Sequence, residues 1–357
     1  MLHVAKLLRF AVESHASDLH ISSGEAPMVR IDGDMRRIDY PALTRDETHR
    51  MIFDLMNDSQ RRAFQEHLEV DFSFALDDVL RFRVNVFIQN RGEAAVFRSI
   101  PCQIPGMDEL GLPPVVHTFC KADRGLVLVT GPTGSGKSTT LAAMIDHINS
   151  TEEGHILTLE DPIEFVHTPR KCMVNQREIG PMSHSFSAAL RSALREDPDV
   201  ILVGEMRDLE TIALALTAAE TGHLVFGTLH TASAPKTIDR VIDAFPQNQQ
   251  AQVRAMLAES LVGVVAQKLL KKLGGGRVAA LEIMVGTPAV RNLIRENKSF
   301  QLTSVIQAGG RFGMQAMDAA IVALEQRQLI SSAEACAHLG SPESAALGAP
   351  AAAGGAR

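Results

Sequence analysis

The chain of 357 residues has no tryptophan and a single tyrosine, Tyr40. That leaves few of the aromatic platforms on which single-stranded nucleic acid stacks. Basic residues are outnumbered, 35 Lys and Arg against 42 Asp and Glu, for a net charge of −7, which argues against nucleic acid as the main partner. The four cysteines, Cys102, Cys120, Cys172 and Cys336, lie far apart, so neither a C-x-x-C zinc pair nor a disulfide framework is indicated. No run of 18 apolar residues offers a membrane span, and the first ten residues do not read as a signal peptide. These absences predict a cytoplasmic chain in a reducing compartment, long enough for two or three domains.

What is present centres on Gly125 to Thr140. Leu126 to Val129 is a short apolar run of the kind that forms a buried parallel strand. It leads into Gly131-Pro132-Thr133-Gly134-Ser135-Gly136-Lys137-Ser138, a full match to the G-x-x-x-x-G-K-[ST] phosphate loop. Thr139 follows, and Leu141, Met144, Ile145 and Ile148 recur at helical spacing. The glycines allow positive φ, so the backbone can close around a phosphate with its N–H groups inward. Lys137 is placed to reach β- and γ-phosphates and Ser138 to ligate magnesium, which makes ATP and Mg2+ the expected ligands. A glycine-rich strand-to-helix turn is the bland alternative, and it does not explain the lysine and hydroxyl together.

Taken in order, residues 1–100 read as a small α+β domain. Val4, Leu7, Leu8, Ala11 and Val12 mark a helix, Leu19/Ile21 and Val29/Ile31 mark strands, and Thr44 and Ser59 stand where two further helices would be capped. In Leu80 to Ile88, Phe82, Val84, Val86 and Ile88 alternate with a face that carries Arg81 and Arg83. Residues 101–114 are rich in proline and glycine and suit a hinge. Residues 115–270 alternate strands and helices, an α/β core with its ligand at the carboxyl edge of the sheet. From about Asn248 to Leu339 the chain reads as mostly helical, with 271–340 as a helical C-terminal region. Residues 341–357 are almost wholly Ala, Gly, Pro and Ser and read as disordered.

Strand ends supply the polar candidates. Glu205 follows Val200-Ile-Leu-Val-Gly204, where a carboxylate can accept a proton from water; its plain alternative is an exposed acid at a strand end. Asp161 and Glu164 either hold a metal through water or cap the following turn, and the pattern leaves both open. His230 ends the strand after His223 and is either structural or a hydrogen-bond donor to a γ-phosphate. Arg81, Arg83 and Arg98 are a solvated face unless their domain covers a neighbour's nucleotide.

Four motifs together resemble the type II/IV secretion ATPase superfamily, and within it the type IV pilus retraction motors of twitching motility. Gly131 to Ser138 matches the Walker A loop, Leu159-Glu-Asp-Pro-Ile-Glu-Phe165 the Asp box, Ile201 to Asp208 the Walker B segment and Thr221 to His230 the His box. Ala289-Val-Arg-Asn-Leu-Ile-Arg-Glu296 resembles the A-I-R-N-L-I-R-E element typical of retraction motors, with Val290 departing. The chain also lacks the four-cysteine zinc motif of many extension motors. The resemblance implies a PAS-like N-terminal domain, a RecA-like ATPase domain and a homohexamer. It implies Glu205 as catalytic base, Glu164 as a magnesium-side acid, His230 as γ-phosphate contact, and Arg83 and Arg98 presented to the γ-phosphate, with Arg81 a weaker third. It further implies action at the cytoplasmic face of the inner membrane, through an integral platform protein and on pilin only indirectly. An extension or accessory motor would share the nucleotide motifs. A RecA-like nucleic-acid translocase should show a basic, aromatic surface, and a scaffold that binds nucleotide without turnover would release no phosphate.

Overall fold

A computed structural model describes residues 2–31, 33–76, 80–100 and 103–339. Cys102 and the segment 341–357, expected above to be disordered, lie outside the described residues. The chain divides into two compact units, one of Met1–Gln103 with Pro162–Val166, the other of Ile104–Asp161 with His167–Arg357.

The first unit is α+β. Strands β1 (Asp18–Ser22), β2 (Met28–Ile31), β3 (Asp34–Arg37), β4 (Glu69–Ala75), β5 (Arg81–Gln89) and β6 (Gly92–Ile100) form a sheet in the order β3-β2-β1-β6-β5-β4. Every neighbouring pair in it is antiparallel. Phe82, Val84 and Val86 of β5 are buried in the unit's core, as their alternation requires, whereas Ile88 near the strand end is 48% exposed. Three helices, Leu2–Glu13, Arg45–Phe53 and Asp58–His67, complete the unit. Thr44 caps the second helix in a capping box with Glu47. The third is capped by Asn57 with Gln60, two residues before the Ser59 that the sequence suggested, because Asn57 is the residue whose extended backbone lets its side chain accept from Gln60 N–H.

The second unit is a doubly wound α/β layer. Its strands are β7 (Gly125–Thr130), β8 (His155–Glu160), β9 (Met173–Glu178), β10 (Val200–Val203), β11 (Leu224–Leu229), β12 (Leu261–Lys271) and β13 (Arg277–Val285), in the order β13-β12-β7-β11-β10-β8-β9. All neighbours are parallel except the β12–β13 hairpin. Leu126 and Leu128 of β7 enter one core cluster and Val127 and Val129 another, so the strand is covered on both faces. That is why it reads as an unbroken apolar run rather than an alternation. The hairpin corrects the expectation of a mostly helical chain after Asn248. Only Gln247–Ser260, Pro288–Arg295, Leu302–Ala308, Met317–Gln326 and Ser332–His338 are α-helical there, and β12 lies directly beside β7.

Candidate nucleotide site

The phosphate loop joins β7 to the helix Lys137–Thr151, and its shape depends on glycine at two tight places. Gly131 has φ +149°, and a Cβ there would lie 2.4 Å from the Gln267 carbonyl oxygen and 2.5 Å from Ser135 Oγ. Gly136 has φ +87° at the helix start, a left-handed conformation that costs other residues about 1–2 kcal/mol. The Lys137 ammonium folds back along the loop and donates to the carbonyls of Gly131 at 2.9 Å and Pro132 at 3.1 Å. Pro132, Thr133, Gly134 and Ser138 are exposed, Thr139 is half-buried, and Ser135 and Thr140 are buried beneath. Gln267 of β12, 1% exposed, lies under this loop. It donates through Nε2 to the Ser135 carbonyl at 2.5 Å and accepts from Thr140 Oγ1 at 3.0 Å.

Glu205 follows β10 and is aimed by its neighbours. Gly204 N–H donates to the Leu159 carbonyl at 2.8 Å, Thr228 Oγ1 donates to the Gly204 carbonyl at 2.5 Å, and Met206 N–H donates to the Thr228 carbonyl at 3.1 Å. The turn carrying the carboxylate is thereby tied to β8 and β11. Glu205 Oε1 lies 2.5 Å from Arg207 Nε and 3.1 Å from His230 Nε2. Burial raises the carboxyl's pKa, but the Arg207 hydrogen bond and the charges of Arg207, His230 and Lys137 outweigh it, so the group is held below the ordinary carboxylate range. The same pairing raises Arg207. Glu205 thus lies beside His230 and within the field of Lys137 on one unit.

Arg81, Arg83, Arg98 and Glu164 belong to the first unit and have partners of their own there. Arg98, on β6, donates through Nε to Asp18 Oδ1 at 2.9 Å. Arg83, its cross-strand neighbour on β5, pairs with Asp71 at 2.6 Å, and its Nη1 lies 4.0 Å from Glu164 Oε1. Arg81 Nη2 reaches Ser73 Oγ at 3.5 Å. Glu164 therefore stands beside an arginine, whereas Asp161 belongs to the second unit and adds to the negative field around Arg207.

Sequence reasoning passed over Arg207, Thr228 and Gln267. Arg207 lies inside the quoted Ile201–Asp208 motif, two residues beyond Glu205, and its charge was the one available signal. Thr228 and Gln267 act through tertiary contacts that no local pattern carries. Among the described residues no cluster of three or more His, Cys, Asp or Glu could hold a metal. A divalent cation at this loop would take most of its ligands from phosphates and water, which suits magnesium. The exposed Ser138 hydroxyl on the first helical turn fits that role.

A family model described as Type II/IV secretion system protein matches residues 2–334. The chain is 62% identical over 330 residues to the type IV pilus retraction ATPase PilT of Pseudomonas aeruginosa, spanning 92% of this chain and 96% of that one. It is 58% identical over 306 residues to a twitching motility protein of Neisseria gonorrhoeae, spanning 85% and 82% respectively. A crystal structure of the pilus retraction motor PilT with bound ADP matches it with a TM-score of 0.88 at 50% identity, covering 96% of this chain and 98% of that one.

Proposed function

Because the chain belongs to the type II/IV secretion system protein family, we propose that it is the ATPase motor that drives type IV pilus retraction and twitching. The observation that carries this reading is a phosphate loop, a strand-end Glu205 and its His230 partner, in a chain 62% identical to a pilus retraction ATPase. On ATP binding, Lys137 exchanges the Gly131 and Pro132 carbonyls for phosphate oxygens, which attract an ammonium more strongly. Ser138 would be the protein ligand of a magnesium ion and Glu164, by the family resemblance, an acid for its outer waters, and the ion would supply positive charge to offset that of the phosphates. Water attacks the γ-phosphorus, the bond to ADP breaks, and the proton goes to Glu205. For that step Arg207 must release the carboxylate, since a paired carboxylate is a weaker base. His230, bonded to the same oxygen, is placed to sense whether a γ-phosphate is present.

The working assembly in this reading is a homohexamer at the cytoplasmic face of the inner membrane. The first unit of each chain would supply Arg83 and Arg98 to its neighbour's nucleotide, and an integral platform protein would pass the motion to pilin. Among the described residues no helix is long and apolar enough to cross a membrane.

The test separates binding from chemistry. Lys137→Ala should weaken ATP binding itself. Glu205→Gln should bind ATP and turn over ~10²–10⁴ more slowly. Cells lacking the gene should carry surplus surface pili and fail to twitch, and only the parent gene should restore movement. Unchanged phosphate release by Glu205→Gln would move the base to another residue, and normal twitching without the gene would remove the retraction role.

A further inference from the structure

Gln267 belongs to none of the motifs that mark the nucleotide site, yet it makes the closest side-chain contact beneath it. Its amide is fixed in direction. The Ser135 carbonyl can only accept, so Nε2 is its donor, and Oε1 is left to accept from Thr140 Oγ1. All three residues are buried, Gln267 at 1%, Ser135 at 3% and Thr140 at 3% exposed. A trans peptide carries its C=O and N–H on opposite sides. The Ser135 carbonyl and the Gly136 N–H share one such plane, so drawing the carbonyl down onto Gln267 turns the Gly136 N–H toward the hollow of the loop. That hollow is where a phosphate oxygen would accept it. Gly131 and Gly136 report the same close approach, because a Cβ on Gly131 would collide with the Gln267 carbonyl oxygen and one on Gly136 would lie 3.2 Å from its Nε2.

We propose that Gln267 is a positioning residue for nucleotide binding, which sets the Ser135–Gly136 peptide so that the loop is ready for phosphate before nucleotide arrives. The inference rests on the ATPase reading and adds to it a reason for the hairpin. Strand β12 lies next to β7 in the sheet and brings a neutral amide under a loop that must hold anions. A carboxylate of the same shape could not donate to Ser135 and would repel phosphate.

The test uses the full-length chain, a fluorescent ADP analogue and thermal melting. Gln267→Glu should weaken ADP binding about tenfold at pH 8, the size of one or two lost hydrogen bonds. Thr140→Val keeps the shape, removes one of the two bonds that hold the amide, and should weaken ADP a few-fold. A role in packing alone would lower the melting temperature and leave the affinity of the folded fraction unchanged. Folded variants that bound ADP as the parent does would overturn the inference. Should Gln267→Glu fail to fold, parent-like affinity in Thr140→Val would overturn it equally. A parent that bound no ADP would instead overturn the ATPase reading, and this inference with it.

Discussion

A carboxylate bonded to an arginine resists protonation, because the proton would cost it the bond. Arg207 is 77% exposed and free to swing, while Glu205 is held in a turn tied to β8 and β11. In the proposed mechanism the arginine is the partner that moves, and its release would act as a chemical gate built from one side chain. His167 shows the opposite case, an ionisable group with its charge suppressed. It is buried, its Nδ1 has no partner, and burial lowers its pKa to about 4, with the Asp146 charge opposing and Arg170 assisting. An unfolded histidine titrates near 6.5, so between about pH 6.5 and 4 the unfolded chain binds the extra proton. The stabilisation from neutral His167 is complete above pH 6.5 and is lost as pH falls, by up to about 1.4 kcal/mol per pH unit. Denaturant unfolding measured from pH 8 to 4 should show this decline in the parent and a shallower one in His167→Gln. Equal slopes would place the acid sensitivity elsewhere.

The helix Pro288–Arg295 divides its charges between two roles. Val290 and Ile294 are buried, and Thr287 caps the start by accepting from Val290 N–H. Arg291 is half-buried. It donates through Nε to the Gly286 carbonyl at 2.8 Å and through Nη2 to the Leu261 carbonyl at 3.4 Å, fastening the helix to the ends of the hairpin. Arg295 and Glu296 are exposed and pair outward, with Glu259 at 3.0 Å and Lys298 at 2.7 Å. Surface pairs of this kind contribute little stability. Replacing Arg295 and Glu296 with alanine should leave phosphate release near normal and stop pilus retraction in cells. Arg291→Ala should instead lower stability by about 1–3 kcal/mol, read by denaturant unfolding. Normal retraction by the double variant would return this face to packing alone. Much of the architecture could be read from the chain, because β7, β10 and β11 are apolar runs bounded by glycine or charge and the loop between β7 and its helix has a fixed spacing. The hairpin could not. Leu261 to Leu270 is buried along most of both faces, so it lacks the alternation that separates a strand from a buried helix. Gln267 was hidden with it, and the contacts of Arg291 could not be read because the carbonyls it binds lie outside its own helix.

At the scale of the whole molecule, the residues assigned to the chemistry sit on two compact units, with Lys137, Glu205 and His230 on one and Arg83 and Arg98 on the other. If a neighbour's arginines complete each site, two defects in different units can be sorted onto different interfaces. Mixing Arg83→Ala chains with Lys137→Ala chains should recover a fraction of parental ATPase activity. Activity never above the sum of the two variants, with subunit exchange confirmed, would count against sharing. The sheet order also sets a clock on the ribosome. Strand β7 pairs on one side with β11 and on the other with β12, and Leu126 is matched to Leu261 across the second pair. At about 5–20 residues per second, the partner of Leu126 is made on the order of ten seconds after Leu126 itself. Until then one flank of the loop's own strand stands bare, and the amide that orients Ser135 does not yet exist. In the proposed arrangement, full affinity for nucleotide therefore arrives only after Gln267 has been made.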